Sequence, residues 1–462
     1  MSWLQKQVSE NPEKLFIQSG NKEFNYGNIY DLVQLYTKSL IRENLKKNDK
    51  VLILLESDIE LVEVILSCFE IGVIAVPIST NLTLLEYNII VKKIQPNIII
   101  TSWKFQSYLN GSKFANIFIE ELIYSSSGCA TINNKYIYKE DDIAAIVLTS
   151  GTTGLPKPVQ LTYGNFINSC LNWNEFLEFN NQDKFLCCLP LHHIGGLAVL
   201  IRGLIYGFAI DLIKNFSANK ILNTIRKHNV SIISLVPTML TRILNIEESI
   251  NVIKALRWIL LGGGPSPLKL LDYCIEQKLN IVKVYGMSET CSGTVGLKLL
   301  EEPENKLYAG RPFPNTKIWT VDKEIHISGP MVMKGYLGFK ETCGVHNSKD
   351  LGEITNDNLV FLNIRRKDLI ISGGENINPM EVEEALISIE NIIDATVVGE
   401  DDDEWGQKVV AYIVTDSHSI KDDKIKNILK ETLSSFKIPK VFKRVNSIPR
   451  NELGKIVYSK LI

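Results

Sequence analysis

The sequence predicts an α/β protein with two domains. The large N-terminal one has parallel-rich sheets covered by helices and a β-subdomain at its end; the small C-terminal one is α+β. Three observations carry this. The chain of 462 residues exceeds the size at which a single core keeps growing. Helix-like and strand-like patterns alternate from the start, as in βαβ units. The pattern then changes to short β segments from about Ile318, and to mixed helices and strands after Asp368. The expected domains are 1–367 and 368–462.

The elements follow in order. Ile29 to Ile41 reads as an amphipathic helix, Lys50 to Leu55 as a buried strand, Asp58 to Ile71 as a helix and Gly72 to Ile78 as a strand. Leu84 to Ile94 reads as a helix, Asn97 to Thr101 as a strand and Ile143 to Leu148 as another. Further strands are expected at 185–190, 231–236, 258–261 and 280–285, and a helix at 218–227 with Ser217 as its N-cap. Several of these strands run into polar or glycine-rich loops, where open α/β sheets place their ligands. Short β segments are expected at 325–327, 359–362 and 369–371. The last part should hold a helix from Pro379 to Ile387 with an acidic first turn, strands at 393–398 and 409–414, and a helix at 420–433.

Composition narrows the function. Hydrophobic content of 45% and charged content of 22% suit a soluble globular chain, and a net charge of -2 with scattered lysines argues against a nucleic-acid partner. The eight cysteines form no CxxC pair, and the six histidines do not join them at zinc-like spacing. Buried thiols in a reducing compartment are expected. The start is polar, and the longest apolar stretch, Leu61 to Ile78, is interrupted by Glu63 and Glu70. Neither a signal peptide nor a membrane span is expected, so the chain reads as cytoplasmic. A homo-oligomer stays open.

The segment Thr149-Ser150-Gly151-Thr152-Thr153-Gly154-Leu155-Pro156-Lys157 follows an apolar strand. Glycines admit close backbone approach, hydroxyls and amides donate, and the ammonium neutralises charge, so the segment suits phosphates. Two residues between its glycines, and a proline before its lysine, exclude a Walker A loop.

Eight motifs, in order, resemble the acyl-adenylate-forming (AMP-binding) superfamily. They are Thr149–Lys157, Leu189–Gly196, Gly262-Gly263-Gly264-Pro265, Tyr285-Gly286-Met287-Ser288-Glu289-Thr290, Gly310-Arg311-Pro312, Asp350–Glu353, Arg365–Ile377 and Pro449–Lys455. The resemblance spans nearly the whole chain. Within the family, Cys187-Cys188-Leu189-Pro190 with His193, the three glycines, Leu369–Ile377 and Arg202 look like the branch that activates o-succinylbenzoate for menaquinone synthesis.

The resemblance implies a two-step, AMP-forming acid–CoA ligase using ATP, Mg²⁺, CoA and a small carboxylic acid, with a mobile C-terminal domain. It places the ATP phosphates on Thr149, Ser150, Gly151, Thr152, Thr153, Gly154 and Lys157, and Mg²⁺ on Glu289 with Ser288 beside it. Adenine and ribose fall to Gly262, Gly263, Gly264, Tyr285, Gly286, Asp350 and Arg365. Lys455 would bridge carboxylate and α-phosphate. His193 and Gly286 would line the acyl site. Arg202 would meet a second substrate carboxylate, or else pair with an acid on a helix surface. Gly373 and Gly374 would line the CoA path, with Trp405 near it, and Lys367 would be the hinge. Against the family pattern, Pro158, Lys349 and Ile364 stand where glycine is usual. Two rival readings remain: a ligase for another aryl or fatty acid, and a nucleotide-binding protein without turnover.

Overall fold

The computed structural model describes residues 2–125, 136–149, 156–264, 266–362, 369–416, 420–449 and 461. The chain divides into two compact units. One comprises Met1–Thr80, Ile94–Thr149 and Lys157–Ile364; the other comprises Asn81–Lys93, Ser150–Pro156 and Arg365–Ile462. The expected boundary at Lys367 and Asp368 lies outside the described residues.

Among the described residues the first unit holds three sheets. In the nine-stranded sheet, six neighbouring strands are parallel: Ile281–Met287, Trp258–Leu261, Ile232–Leu235, Lys184–Cys187, Ala209–Leu212 and Leu15–Ser19. Antiparallel strands close both edges. In the seven-stranded sheet, Ile143–Thr149, Ile74–Pro77, Lys50–Leu54, Ile98–Thr101 and Ala115–Phe118 are parallel, and Lys157–Thr162 and Gly335–Tyr336 add antiparallel strands beyond Ile143–Thr149. The third sheet is antiparallel, four strands between Lys317 and Leu362. The expected parallel-rich sheets and β-subdomain are therefore present.

Both large sheets feed one hydrophobic core, which includes Val51, Ile53, Val147, Phe185 and Ile210. Helices Ile59–Ile71 and Ile194–Tyr206 belong to that core and are buried on every face over most of their length, as interior helices are. The two acids that interrupt the apolar run are buried. Glu70 accepts from Ser2 and Gln5, and burial pushes the Glu63 carboxyl up to about 7. No helix among the described residues is long and apolar enough to cross a membrane.

The second unit has an antiparallel core, Glu375–Ile377, Ile370–Ser372, Gly406–Thr415 and Ile392–Asp402, with Val441–Arg444 parallel to Gly406–Thr415. Helices Pro379–Ile387 and Asp422–Leu429 pack on it with Ile377, Val397 and Ile413. The last helix is shorter than its pattern suggested. Ser217 does stand at the N-cap of helix Ala218–His228, but its side chain makes no capping hydrogen bond.

Candidate active site

The phosphate segment joins two antiparallel strands. Thr149 lies opposite Lys157, and the Thr149 hydroxyl is 3.5 Å from the Lys157 carbonyl. The ladder thus fixes both ends of the segment, while Ser150, Gly151, Thr152, Thr153 and Gly154 lie outside the described residues. Pro158 sits opposite Leu148, and its carbonyl accepts from Leu337 N–H at 2.9 Å. In a strand the N–H and C=O of one residue face the same neighbour, so the donor that proline lacks would point toward Leu337. The ladder between the two hairpin strands loses nothing.

Glu289 sits on a single 3-10 turn, Ser288–Thr290, at the end of strand Ile281–Met287. The Thr290 hydroxyl locks the turn, accepting from Met287 N–H at 3.0 Å and donating to the Ser292 carbonyl at 2.8 Å. Glu289 is buried, and its Oε1 accepts from the Tyr336 hydroxyl at 2.7 Å. The Lys157 ammonium stands over the same tyrosine ring, 5.6 Å from its centre. One buried carboxylate suits Mg²⁺ that arrives with a triphosphate, because this ion keeps waters and takes few protein ligands. Among the described residues no group of three or more metal-binding side chains gathers.

Tyr285 and Asp350 come together from different sheets. The Tyr285 hydroxyl donates to Asp350 Oδ2 at 2.8 Å. Gly262, Gly263 and Gly264 follow strand Trp258–Leu261, with Gly262 N–H bound to the Leu235 carbonyl. Gly286 answers a packing demand: a Cβ there would lie 2.1 Å from the Ser292 carbonyl.

On the acyl side, His193 is the N-cap residue of helix Ile194–Tyr206, its ring 4.3 Å from that of His192. Burial, with His193 adding to it, holds His192 well below the usual histidine range, so His192 is neutral. About two and a half helical turns on, Arg202 is 2% exposed. Its guanidinium donates to the Ser292 hydroxyl at 3.0 Å and stacks 4.3 Å from the centre of the Trp173 ring. Its Nε has no partner, and no carboxylate pairs with it among the described residues. A pairing with a surface acid is therefore excluded within that set.

In the second unit, Gly373 and Gly374 make the two-residue turn between Ile370–Ser372 and Glu375–Ile377, with φ of 61° and 90°. Both values favour glycine. Gly373 N–H donates to the Trp405 carbonyl at 2.8 Å. Arg365, Lys367 and Lys455 lie outside the described residues. Tyr336, Ser292 and Trp173 escaped the reading of the sequence. Only strand pairing and helix packing bring them to the site.

The fold and this site define an adenylate-binding α/β protein. Residues 4–337 match the AMP-binding enzyme family and residues 381–455 match the AMP-binding enzyme C-terminal domain, and the chain belongs to this family. Among its relatives, the 2-succinylbenzoate–CoA ligase of Bacillus licheniformis is 33% identical, over 100% of this chain and 99% of its own. That of Bacillus subtilis is 32% identical, over 100% and 97%. The structure of Bacillus subtilis o-succinylbenzoate CoA synthetase with its product analogue superposes with a TM-score of 0.93, at 33% identity over 99% of this chain and 98% of that one. The same enzyme with ATP and magnesium gives 0.76, at 32% identity over 99% and 98%. An amide bond synthetase from Marinactinospora thermotolerans, 19% identical over 100% and 99%, shares the fold with a TM-score of 0.89.

Proposed function

We propose that this chain is an ATP-dependent, AMP-forming acid–CoA ligase that acts on 2-succinylbenzoate. Family membership and full-length likeness to 2-succinylbenzoate–CoA ligases support the chemistry. The observation that carries the substrate is Arg202, a buried cation that lacks a carboxylate partner among the described residues. Burying an unpaired charge is costly, and a substrate with a second carboxylate supplies the missing anion. Arg202 lies nine residues after His193, roughly 13 Å along the helix, and long helical side chains lean back toward the N-terminus. A substrate held with its reacting carboxylate near His193 would thus extend its other carboxylate toward Arg202.

In the first step a carboxylate oxygen of the acid attacks the α-phosphorus of ATP; the P–O bond to the β-phosphate breaks and pyrophosphate leaves. In the second, the CoA thiol gives up its proton to solvent, its sulfur attacks the acyl carbon, the C–S bond forms, and AMP leaves with the acyl C–O bond electrons. Thr149, Lys157 and residues 150–154 would grip the β- and γ-phosphates. Asp350, positioned by Tyr285, would accept from the ribose hydroxyls, and Gly262–Gly264 would flank adenine. Mg²⁺, when bound at Glu289, would neutralise phosphate charge. Lys455 would hold the two anionic reactants together, Arg365 would support ribose and phosphate, Gly373 and Gly374 would line the CoA path, and Lys367 would be the hinge. The seven cysteines described are all free, which fits a cytoplasmic enzyme.

The test is ATP–pyrophosphate exchange over a panel of carboxylic acids, with and without CoA. Exchange should be fastest with 2-succinylbenzoate, and a CoA thioester should form only when CoA is added. Absence of exchange with every acid would sink the ligase reading. Faster exchange with a monocarboxylic benzoate or a fatty acid would sink the substrate.

A further inference from the structure

We propose that Tyr336 is a positioning residue for the first half-reaction: it orients Glu289 and holds Lys157 on the same ring. This rests on the roles assigned above to Glu289 and Lys157. The geometry is specific. The hydroxyl donates to Glu289 Oε1 at 2.7 Å, and the ring carries the Lys157 ammonium at 5.6 Å. The backbone delivers the tyrosine to both. Tyr336 pairs with Val159, two residues from Lys157, and Leu337 N–H binds the Pro158 carbonyl at 2.9 Å. Three residues earlier, Met333 N–H binds the Glu289 carbonyl at 2.8 Å. The short segment 333–337 therefore clamps the turn bearing Glu289 against the strand bearing Lys157.

The consequence is chemical. An ion that takes few protein ligands depends on how each carboxylate that meets it is turned. The Tyr336 hydroxyl occupies Oε1 and so fixes the carboxylate plane, leaving Oε2 to be aimed at the ion. Loss of such an outer hydrogen bond typically lowers metal affinity 10–100-fold. The ring contact places the Lys157 ammonium beside the turn that bears Glu289.

Tyr336→Phe removes the hydroxyl and keeps the ring; Tyr336→Leu removes both. Calorimetric titration of ATP with and without Mg²⁺ reads the effect independently of turnover. Tyr336→Phe should weaken the Mg²⁺-dependent part of ATP affinity by about 10-fold and leave Mg²⁺-free binding within about 2-fold. Tyr336→Leu should weaken both. In kinetics, Tyr336→Phe should raise the Mg²⁺ needed for half-maximal pyrophosphate exchange. Conversion of preformed acyl-adenylate and CoA to thioester, which uses no triphosphate, should stay unchanged. Unaltered Mg²⁺ dependence in Tyr336→Phe, or equal loss in both half-reactions, would overturn the proposal. A wild-type chain that binds Mg²⁺ and ATP but exchanges pyrophosphate with no acid would instead count against the ligase reading.

Discussion

Single residues carry the specificity argument, and Arg202 carries most of it. A guanidinium is effectively always charged in proteins, so its burial must be met by an anion, by hydrogen bonds or by a ring face. Here the described residues supply one hydroxyl and one indole, and Nε is left over. Arg202→Leu should therefore cost substrate and spare the fold. A charge-assisted hydrogen bond is worth roughly 1.5–3 kcal/mol, so KM for 2-succinylbenzoate should rise by about 10- to 100-fold. Thermal stability should hold or rise, since replacing a buried charge by an apolar side chain of similar volume is often neutral or favourable. A variant that loses stability and keeps its KM would show that Arg202 serves only to pack against Trp173.

Elements explain the departures from the family pattern. Pro158 is tolerated because its carbonyl binds Leu337, so its missing donor faces away from the hairpin partner. Lys349 is a different case. It stands before Asp350 with φ of 64°, at an irregular register between Glu324–Ser328 and Val345–Ile354. Its N–H is held by the Asn347 side chain at 2.8 Å, and its ammonium reaches Glu324 at 2.9 Å. A left-handed conformation costs a non-glycine residue about 1–2 kcal/mol. Lys349→Gly should hold or raise stability by up to about 1 kcal/mol, and Lys349→Val should lower it by about 1–2 kcal/mol, both read from urea unfolding. Equal losses in the two variants would assign the position to the Glu324 contact. These cases show what a sequence discloses. Helix Leu84–Ile94 and strand Trp258–Leu261 were legible to the residue, because period and turn residues agree. The shortened Asp422–Leu429 was not, since Ile420 and Leu433 stay in the core without being helical. Motifs alone put Glu289 and Asp350 in the candidate site. Tyr336 was not: a tyrosine after a glycine has no local signal, and only pairing with Val159 brings it to Glu289.

Among its described residues the second unit holds a largely buried ionic cluster. In the second unit, Lys437 donates to Glu86 at 2.6 Å and to Glu381 at 2.7 Å, and the Ser434 hydroxyl donates to Glu86 at 2.6 Å. It joins helix Leu84–Ile94 with helix Pro379–Ile387 and the segment after Asp422–Leu429. Burial alone would raise the Glu86 carboxyl, but Lys437, Ser434 and Thr83 outweigh it and hold it below its ordinary value. Burial lifts Glu381, with Lys437 opposing it only in part. For Lys437, burial pulls down and the two carboxylates raise it above the usual lysine range. The signs follow from linkage. The depressed Glu86 contributes stability that is present above its unfolded value and is lost as the pH falls through its folded one. The raised Lys437 contributes stability that is complete below its unfolded value and is lost as the pH rises through its folded one. Glu381 works against the pair near neutrality, because its raised value costs stability once it ionises. Lys437→Met leaves the buried Glu86 and the half-buried Glu381 facing each other and should destabilise the second unit by up to about 3–5 kcal/mol near neutral pH. The deficit should shrink as the pH falls and the two carboxylates protonate. Adding Glu86→Gln and Glu381→Gln to Lys437→Met should recover most of it. Chemical denaturation at pH 7 and pH 4.5 measures all of this, and a loss that is equal at both values would remove the cluster as its cause.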